Sequence, residues 1–485
     1  MYLCIIVIMF QSTVDHTFSS HLKTHGNSLQ RTDHERGDNM KLFPHQQAAL
    51  DRTKGFERVA YYHDMGLGKT FTGSEKMVSY GNPVNLVVCQ KSKVNDWVNH
   101  FRKHYPELVV WNLTGKKDFE NFKLFCIEGW NHVAVINYEL AWRRPQLKNL
   151  KDFTLMLDES SLIQNKTAKQ TKFILNLKPK NVILLSGTPT AGKYENLWTQ
   201  AHLLGWNISE DLYNRQYVNW KTIESDGFFH KVVDMENPYK NVERLKQKFR
   251  DHGSDFVKTE EVFDLPEQIF TTVTVATSKE YRKFMKDSVI TICSEYRNNF
   301  VEFKDDSDFY GNDVTPRIQL IGDQVFTKRL YARQLCGMYS KDKLDAFKEL
   351  IQSTNDRVIV FYNFKEEVKR LIHIVNELNK PWSIISGDQK TLAAYENYED
   401  SITFIQYQAG AMGLNLQKAN KMIYFSLPER SDLFEQSKKR THRMGQTRPC
   451  FYWILLCENS VEEWIHETLK ERKDFTDDLF VNYEK

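Results

Sequence analysis

The stretch His63–Thr70, which reads His-Asp-Met-Gly-Leu-Gly-Lys-Thr, decides the fold of this chain. Its last three residues match the end of the phosphate-binding loop pattern, whereas its histidine replaces the leading glycine of that pattern. The apolar run Val59–Tyr62 predicts a strand before the loop, and Phe71–Tyr80 predicts a helix after it. Such a turn aims backbone N–H groups at phosphate oxygens, so Lys69 would bridge the β- and γ-phosphates and Thr70 would hold Mg²⁺. The alternative is a glycine turn with a chance lysine.

Composition indicates a soluble globular protein. The chain has 485 residues, 41% of them apolar and 27% charged, and this length predicts about two to four domains. The formal net charge is only +3, so any nucleic-acid binding must come from local basic patches. The seven cysteines form no C-x-x-C pair, which favours reduced thiols in the cytoplasm over a zinc site or a disulfide framework. The apolar run Leu3–Phe10 is too short for a membrane helix and lacks the positive segment of a secretory signal, so we expect no membrane association.

Two sets of short apolar runs predict an α/β fold with two tandem parallel sheets. Helical stretches separate the runs, a pattern typical of parallel strands covered by helices on both faces. The first set comprises Leu86–Cys89, Val133–Ile136, Phe153–Leu157 and Val182–Leu185. The second set comprises Val358–Tyr362, Trp382–Ile385, Ile402–Ile405, Met422–Phe425 and Tyr452–Leu456.

These runs also suggest how the chain divides. We expect residues 40–252 to form a first, nucleotide-binding lobe and residues 253–267 to form a linker. Residues 268–485 would form a second lobe with a helical insertion. Residues 1–39 are polar and patternless after the first apolar run, so we expect a disordered, dispensable or non-native extension, with Met40 as the alternative start.

Polar residues follow two runs of the first set, at the strand ends where ligands of such folds bind. Asp158 and Glu159 come directly after Phe153–Leu157; Asp158 would orient the Mg²⁺ shell and Glu159 would polarise the attacking water. A surface acidic pair is the alternative, but the preceding apolar run argues against it. Ser186 and Thr188 follow the last run and would either link the site to a nucleic-acid strand or form a turn that caps the next helix.

Gln46 lies about one helix before the phosphate loop. Its side chain carries both a donor and an acceptor, which suits the two-sided edge of adenine. Taken alone, however, an ordinary helix cap is the better interpretation of this residue.

Two arginines after the second set of runs indicate a site between the lobes. Gly413 belongs to a glycine turn at a strand end, and the segment Gln436–Gln446 follows the next strand. Arg440 and Arg443 are three residues apart, so on a helix they would share one face. Two guanidiniums on one face match the charge that spreads over a transferring phosphoryl group. Because they belong to the second lobe, closure of the cleft would complete the site. A solvated basic helix is the alternative.

The chain resembles the Swi/Snf-like branch of helicase superfamily two, the duplex-DNA translocases related to chromatin-remodeller motors. It is most similar to small phage or mobile-element members without large regulatory domains. Seven motifs carry the resemblance: Leu42–Gln46, Asp64–Thr70, Val88–Ser92, Asp158–Ser160, Ser186–Pro189, Gly413–Leu416 and Gln436–Gln446. Two positions depart from the pattern. Ser161 stands where the family usually has a histidine that helps couple the nucleotide to the lobes, and His63 replaces a usual aspartate.

The resemblance implies two RecA-like lobes, ATP and Mg²⁺ as cofactors, and DNA as partner. It implies catalytic roles for Lys69, Asp158, Glu159, Arg440 and Arg443, the last two as arginine fingers. It implies nucleotide contacts from Gln46, Met65, Gly66, Leu67, Gly68, Lys69, Thr70 and Gly413, with Thr70 and Asp158 as metal ligands. It implies nucleic-acid or coupling roles for Lys91, Ser92, Ser186, Thr188 and Gln446.

The favoured hypothesis is therefore an ATPase that moves along duplex DNA through phosphate contacts, with little sequence specificity. A strand-separating DNA or RNA helicase is the first alternative. A nucleotide-switched DNA-binding clamp or remodelling factor with weak turnover is the second, because Ser161 would weaken coupling. A small-molecule kinase is disfavoured, since it would not need a second sheet carrying Arg440 and Arg443.

Overall fold

The computed structural model describes residues 41–125, 131–190, 192–225, 228–234, 236–297, 300–305, 317–322, 325–410 and 414–480. The predicted extension 1–39 and the predicted nucleotide contact Gly413 both lie outside the described residues. The two sheets described below belong to one compact unit that begins at Phe43.

The first lobe contains nine strands and nine α-helices among its described residues. The strands are β1 (Arg58–His63), β2 (Val84–Cys89), β3 (Val109–Asn112), β4 (His132–Asn137), β5 (Phe153–Asp158), β6 (Asn181–Leu185), β7 (Trp220–Ser225), β8 (Phe228–Val233) and β9 (Ser254–Val257). The helices are α1 (Pro44–Arg52), α2 (Lys69–Tyr80), α3 (Val94–His104), α4 (Lys116–Phe125), α5 (Tyr138–Ala141), α6 (Lys169–Leu175), α7 (Trp198–Leu203), α8 (Glu210–Tyr217) and α9 (Val242–Asp251).

Seven of these strands form one parallel sheet in the order β3-β4-β2-β5-β6-β1-β9. Successive side chains of a strand point to opposite faces. In β1, Ala60 and Tyr62 therefore join one buried apolar cluster, whereas Val59 and Tyr61 join another. A sheet with two apolar faces must be covered on both, as the continuous apolar runs predicted.

The second lobe repeats this plan. Its strands are β10 (Gln268–Val275), β11 (Val289–Arg297), β12 (Phe300–Asp305), β13 (Arg317–Ile321), β14 (Val358–Tyr362), β15 (Trp382–Ile385), β16 (Lys390–Thr391), β17 (Ile402–Gln406), β18 (Lys421–Tyr424) and β19 (Cys450–Cys457). Its helices are α10 (Lys279–Asp287), α11 (Val325–Met338), α12 (Lys341–Gln352), α13 (Lys365–Glu377), α14 (Ala393–Asn397), α15 (Tyr407–Gly410), α16 (Ser431–Lys438) and α17 (Val461–Phe480). The large sheet has the order β10-β19-β18-β14-β17-β15-β16 and is parallel except for the last pair.

The structure differs from the sequence-based expectation in four places. The helix after the phosphate loop begins at Lys69, two residues before the predicted start. Strand β9 lies inside the predicted linker, because it pairs with the open edge of β1. The insertion before β14 contains the expected helices and also a three-stranded antiparallel sheet, β12-β11-β13. The hairpin β7–β8 was not predicted either.

No helix in the described parts of the chain is long and apolar enough to cross a membrane.

Candidate nucleotide site between the two sheets

The phosphate loop joins β1 to α2. Gly66 and Gly68 both adopt left-handed backbone angles, with φ of 91° and 71°. Two features of Gly68 disfavour a side chain there. Its backbone angle is left-handed, and a Cβ would lie 2.3 Å from the Gln46 amide nitrogen. The loop therefore needs glycine at this position to approach α1 closely.

The Lys69 ammonium is held inside the loop. Its Nζ donates to the carbonyl oxygens of His63 at 2.7 Å and of Asp64 at 3.0 Å. Burial lowers the pKa of Lys69, and the carboxylates of Glu159, Asp64 and Asp158 partly oppose that shift. The cation is thus placed within electrostatic range of the predicted acidic pair.

That acidic pair ends β5. Asp158 Oδ2 accepts a hydrogen bond from Trp97 Nε1 at 2.8 Å, and the Tyr138 hydroxyl donates to the Asp158 carbonyl at 2.9 Å. Burial and the neighbouring Asp158 raise the pKa of Glu159 to about 7. Among the described residues, Glu159 Oε2 is buried and finds no hydrogen-bond partner. This oxygen is therefore available to a ligand or a water molecule.

The turn after β6 lies against the phosphate loop. A Cβ on Gly187 would lie 3.2 Å from Met65 Cγ and 3.5 Å from Lys69 Nζ. Ser186 Oγ accepts from the Thr188 backbone N–H at 3.1 Å, which forms a local turn, but the N-cap of the next helix is Lys193 and no side chain caps it. The Thr188 hydroxyl is buried without a partner in the described structure. The helix-cap alternative is therefore wrong, and the link from this turn to a nucleic-acid strand stays a prediction.

Arg440 and Arg443 come from the second lobe and meet these groups. Burial lowers the pKa of Arg440 to about 10, against the opposing effect of Glu159. Arg440 Nη2 is buried, and no described residue accepts a hydrogen bond from it. A Cβ on Gly66 would lie 3.6 Å from Arg443 Cβ and 3.7 Å from its Nη2. Arginines of the second lobe therefore face the phosphate loop of the first.

The prediction that the two arginines share a helix face is wrong. Helix α16 ends at Lys438, and both arginines lie in the turns that follow. Their orientation is set by that turn instead. The Arg440 carbonyl accepts from the Leu416 N–H at 3.1 Å, and the Arg443 carbonyl accepts from the Gln446 N–H at 3.0 Å.

Gln446 was expected to take a nucleic-acid or coupling role, and its surroundings argue against direct contact. Its Nε2 donates to three carbonyl oxygens, and its Oε1 accepts two backbone N–H groups, all within the second lobe. The side chain is 6% exposed. Its hydrogen-bonding capacity is used, so it holds the arginine turn together.

The remaining predicted residues occupy varied environments. Gln46 Oε1 accepts from the Phe43 N–H at 2.9 Å, as a helix cap does, and its Nε2 donates to the Gly68 carbonyl at 3.0 Å. Both polar atoms of the amide are thus engaged and the residue is 2% exposed, so the contact with adenine stays a prediction. Leu67 is buried in the loop, and Thr70 is the second residue of α2. Lys91 and Ser92 are exposed in the turn after β2.

Sequence reasoning missed several residues that support the site. His63 is buried and pairs with Asp255 Oδ2 at 2.8 Å, so its imidazole faces β9 while its carbonyl faces Lys69. Gln200 links three segments. Its Oε1 accepts from Ser160 Oγ at 2.8 Å and from the Tyr62 hydroxyl at 3.0 Å, and its Nε2 donates to the Pro189 carbonyl at 2.8 Å. No local pattern marks such residues, because their partners are remote in the sequence.

Two parallel-sheet lobes, a phosphate loop, an acidic pair and facing arginines define the RecA-like ATPase class of helicase superfamily two. The chain belongs, within that class, to the SNF2-related family. The model of the SNF2-related domain matches residues 60–337, and that of the helicase conserved C-terminal domain matches residues 342–445.

Similar proteins include the mouse SWI/SNF-related matrix-associated actin-dependent regulator of chromatin subfamily A member 1. It is 24% identical over 440 residues, which are 83% of this chain and 40% of that protein. The putative ATP-dependent helicase/translocase YwqA of Bacillus subtilis is 22% identical over 86% of this chain and 46% of its own length. The chain thus spans less than half the length of these relatives. The solved SWI2/SNF2 ATPase core of Sulfolobus solfataricus in complex with dsDNA is 19% identical, covers 90% of this chain and 92% of its own, and gives a TM-score of 0.41.

Proposed function

We propose that this protein hydrolyses ATP between its two lobes and uses the reaction to move along duplex DNA. The proposal rests on one observation. Glu159 of the first lobe lies within electrostatic range both of Lys69 in the phosphate loop and of Arg440 in the second lobe. Two of these groups, Arg440 Nη2 and Glu159 Oε2, are buried and without partners in the described structure. A triphosphate and its attacking water supply the partners that such groups need.

The chemistry follows from these side chains. Lys69 would exchange its carbonyl partners for phosphate oxygens, since a phosphate offers a stronger, charge-assisted bond. Glu159, with a pKa of about 7, is matched to accept a proton from water near neutral pH. Arg440 and Arg443 would stabilise the charge that develops on the transferred phosphoryl group.

The donor set fits a magnesium ion. The Thr70 hydroxyl and the Asp158 carboxylate offer oxygen atoms, the ligands that Mg²⁺ prefers. Trp97 donates to one oxygen of Asp158, which fixes the carboxylate at the end of β5. The ion would neutralise charge on the phosphates, and Thr70 and Asp158 would hold it beside Lys69.

DNA as the track is supported by the relatives, whose names include a helicase/translocase and a regulator of chromatin. The exposed Lys91 and Ser92 after β2 suit backbone phosphates, which carry no sequence information. We therefore expect duplex binding with little sequence preference.

The test is the steady-state ATPase rate without nucleic acid and with single-stranded DNA, duplex, forked DNA or RNA. We expect the highest rate with duplex, a fall at higher salt, and no turnover in Glu159→Gln. Displacement of a triplex-forming strand should accompany hydrolysis. An unchanged rate on adding duplex contradicts the proposal. Unwinding of forks without triplex displacement would instead indicate a strand-separating helicase, and ATP-dependent DNA binding without turnover would indicate a switch.

A further inference from the structure

A lysine of the second lobe reaches the phosphate loop of the first. Lys439 immediately follows α16 and immediately precedes Arg440. Its Nζ lies 3.1 Å from Asp64 Oδ2, inside the phosphate loop, and 3.5 Å from Glu260 Oε1, in the connection between the sheets. The side chains of Lys439 and Asp64 are only 14% and 17% exposed. Solvent therefore screens this pair much less than a surface ion pair.

Asp64 is fixed on both sides of this contact. Its Oδ2 also accepts from Thr259, from the backbone N–H at 3.1 Å and from the hydroxyl at 3.0 Å. Its carbonyl accepts from Lys69 Nζ at 3.0 Å. One residue thus holds the phosphate-loop lysine through its backbone and the second-lobe lysine through its carboxylate.

Both partners are charged. Burial acts to raise the pKa of Asp64, but Lys439 and the Thr259 donors outweigh it, so the pKa lies below its ordinary value. Burial acts to lower the pKa of Lys439, but Asp64 and Glu260 outweigh it, so that pKa is raised. The contact is therefore an ion pair throughout the neutral range.

Because Lys439 directly precedes the turn that carries Arg440 and Arg443, its ion pair with Asp64 also affects where these arginines lie. The turn after Lys439 is held by the backbone bond from Leu416 to Arg440 and by the side chain of Gln446. A turn tied in this way moves as one piece, so anchoring Lys439 on Asp64 sets where Arg440 and Arg443 sit relative to the loop. Arg443 also lies beside this loop, since a Cβ added at Gly66 would be 3.7 Å from its Nη2.

We propose that Lys439 is a positioning residue, whose ion pair with Asp64 aligns Arg440 and Arg443 over the triphosphate. This inference rests on the proposed function, because alignment matters only if the arginines act on ATP. In this proposal Lys439 contacts no phosphate itself and acts on the reaction through Arg440 and Arg443.

The first test compares Lys439→Met with Lys439→Arg in DNA-saturated ATPase assays. We expect Lys439→Met to lower kcat by about ten-fold, equivalent to about 1.4 kcal/mol of barrier, with nucleotide affinity changed by less than about two-fold. Lys439→Arg keeps the charge and should stay within about three-fold of wild type. Lys421→Met is the matched control, because Lys421 pairs with Asp356 at 2.7 Å within the second lobe; its kcat should not change.

A double-mutant cycle with Asp64→Asn identifies the partner. If the two residues act through one contact, the double variant should be no slower than the slower single variant. Two results would overturn the inference. One is a double variant whose loss in kcat is the product of the two single losses, and the other is a kcat of Lys439→Met equal to that of Lys421→Met. Equal loss in Lys439→Met and Lys439→Arg would overturn it as well.

A distance measurement separates this inference from the proposed function. Spin labels at Lys103→Cys and Glu399→Cys, two exposed positions on different lobes, report lobe alignment with a non-hydrolysable ATP analogue. The labelled variants would keep the four buried cysteines, Cys89, Cys336, Cys450 and Cys457, and would carry serine at Cys4, Cys126 and Cys293. We expect a narrow distance distribution that broadens in Lys439→Met but not in Lys421→Met. If the wild type does not hydrolyse ATP, the proposed function fails, but a distribution that broadens in Lys439→Met still supports the contact between Lys439 and Asp64. A distribution that does not broaden in Lys439→Met contradicts a positioning role for Lys439.

Discussion

The two halves of the candidate site differ in how their charged side chains are held. In the first lobe, Lys69 donates to two carbonyl oxygens and Asp158 accepts from Trp97. In the second lobe, Arg440 Nη2 has no partner among the described residues, and Arg443 has one long hydrogen bond, 3.5 Å from the Leu414 carbonyl. Apart from Glu159 Oε2, the charged side chains of the first half have protein partners before a ligand arrives, whereas both arginines of the second half would gain most of theirs from the ligand.

This difference indicates an order of events. A preorganised half binds with little reorganisation, so nucleotide should first engage the loop of the first lobe. A buried guanidinium without a partner is unfavourable, and an anion in the cleft removes that penalty. The second half should therefore determine the rate of the reaction more than the affinity for ATP.

The largest expected effect tests the first half. Lys69→Ala removes the cation inside the phosphate loop, so we expect kcat to fall by about 10⁴-fold or more and binding of a fluorescent ATP analogue to be lost as well. The exposed Lys103→Ala serves as control and should behave as wild type. Turnover of Lys69→Ala within about ten-fold of wild type would show that the loop is not the phosphate site.

The second prediction tests the second half. Arg440→Ala should lower kcat by about 10³-fold while affinity for the ATP analogue stays within about three-fold, because the first lobe still binds. Arg448→Ala is the control, since Arg448 is a half-exposed arginine of the same lobe. Equal loss of affinity in Lys69→Ala and Arg440→Ala would break the distinction between the halves.

The sequence identified those parts of the site that depend on local pattern. The phosphate loop and the acidic pair each follow a buried strand directly, so their placement at the strand ends was predictable. The spacing of Arg440 and Arg443 also pointed to the site, but not to their local structure. A three-residue spacing suits a turn as well as a helix, and only the bonds of Leu416 and Gln446 to this turn decide between them.

Other parts depend on contacts between remote residues. The partner of His63 is Asp255, on a strand that no apolar run marked. The partner of Lys439 is Asp64, in the other lobe. Such pairs join residues that are brought together only when the chain folds, so neither composition nor spacing contains them. Gln46 shows the opposite case, because the local interpretation as a helix cap fits its contact with Phe43.

A smaller effect is expected at Gln200, inside the organised half. The departure at Ser161 suggested weak coupling, but the adjacent Ser160 is joined through Gln200 to Pro189. Gln200→Leu leaves three buried polar groups unpaired, and we expect the DNA-stimulated rate to fall by about ten-fold with a smaller change in the basal rate. Thr199→Val is the control, because its buried hydroxyl has no partner among the described residues. Equal losses with and without DNA would assign Gln200 to stability alone.

The smallest effect is expected outside the cleft, at Lys91. This lysine is exposed in the turn after β2. Lys91→Ala would remove one phosphate contact, so we expect duplex affinity to fall by about two- to three-fold. The slope of log affinity against log salt concentration should decrease by about one unit. The ATP affinity should not change, since Lys91 lies in neither half of the nucleotide site. Fluorescence anisotropy across a salt series measures the duplex affinity and its salt dependence, with Lys103→Ala as the control. A slope unchanged from wild type would remove Lys91 from the DNA path and place the basic contacts elsewhere on the two lobes.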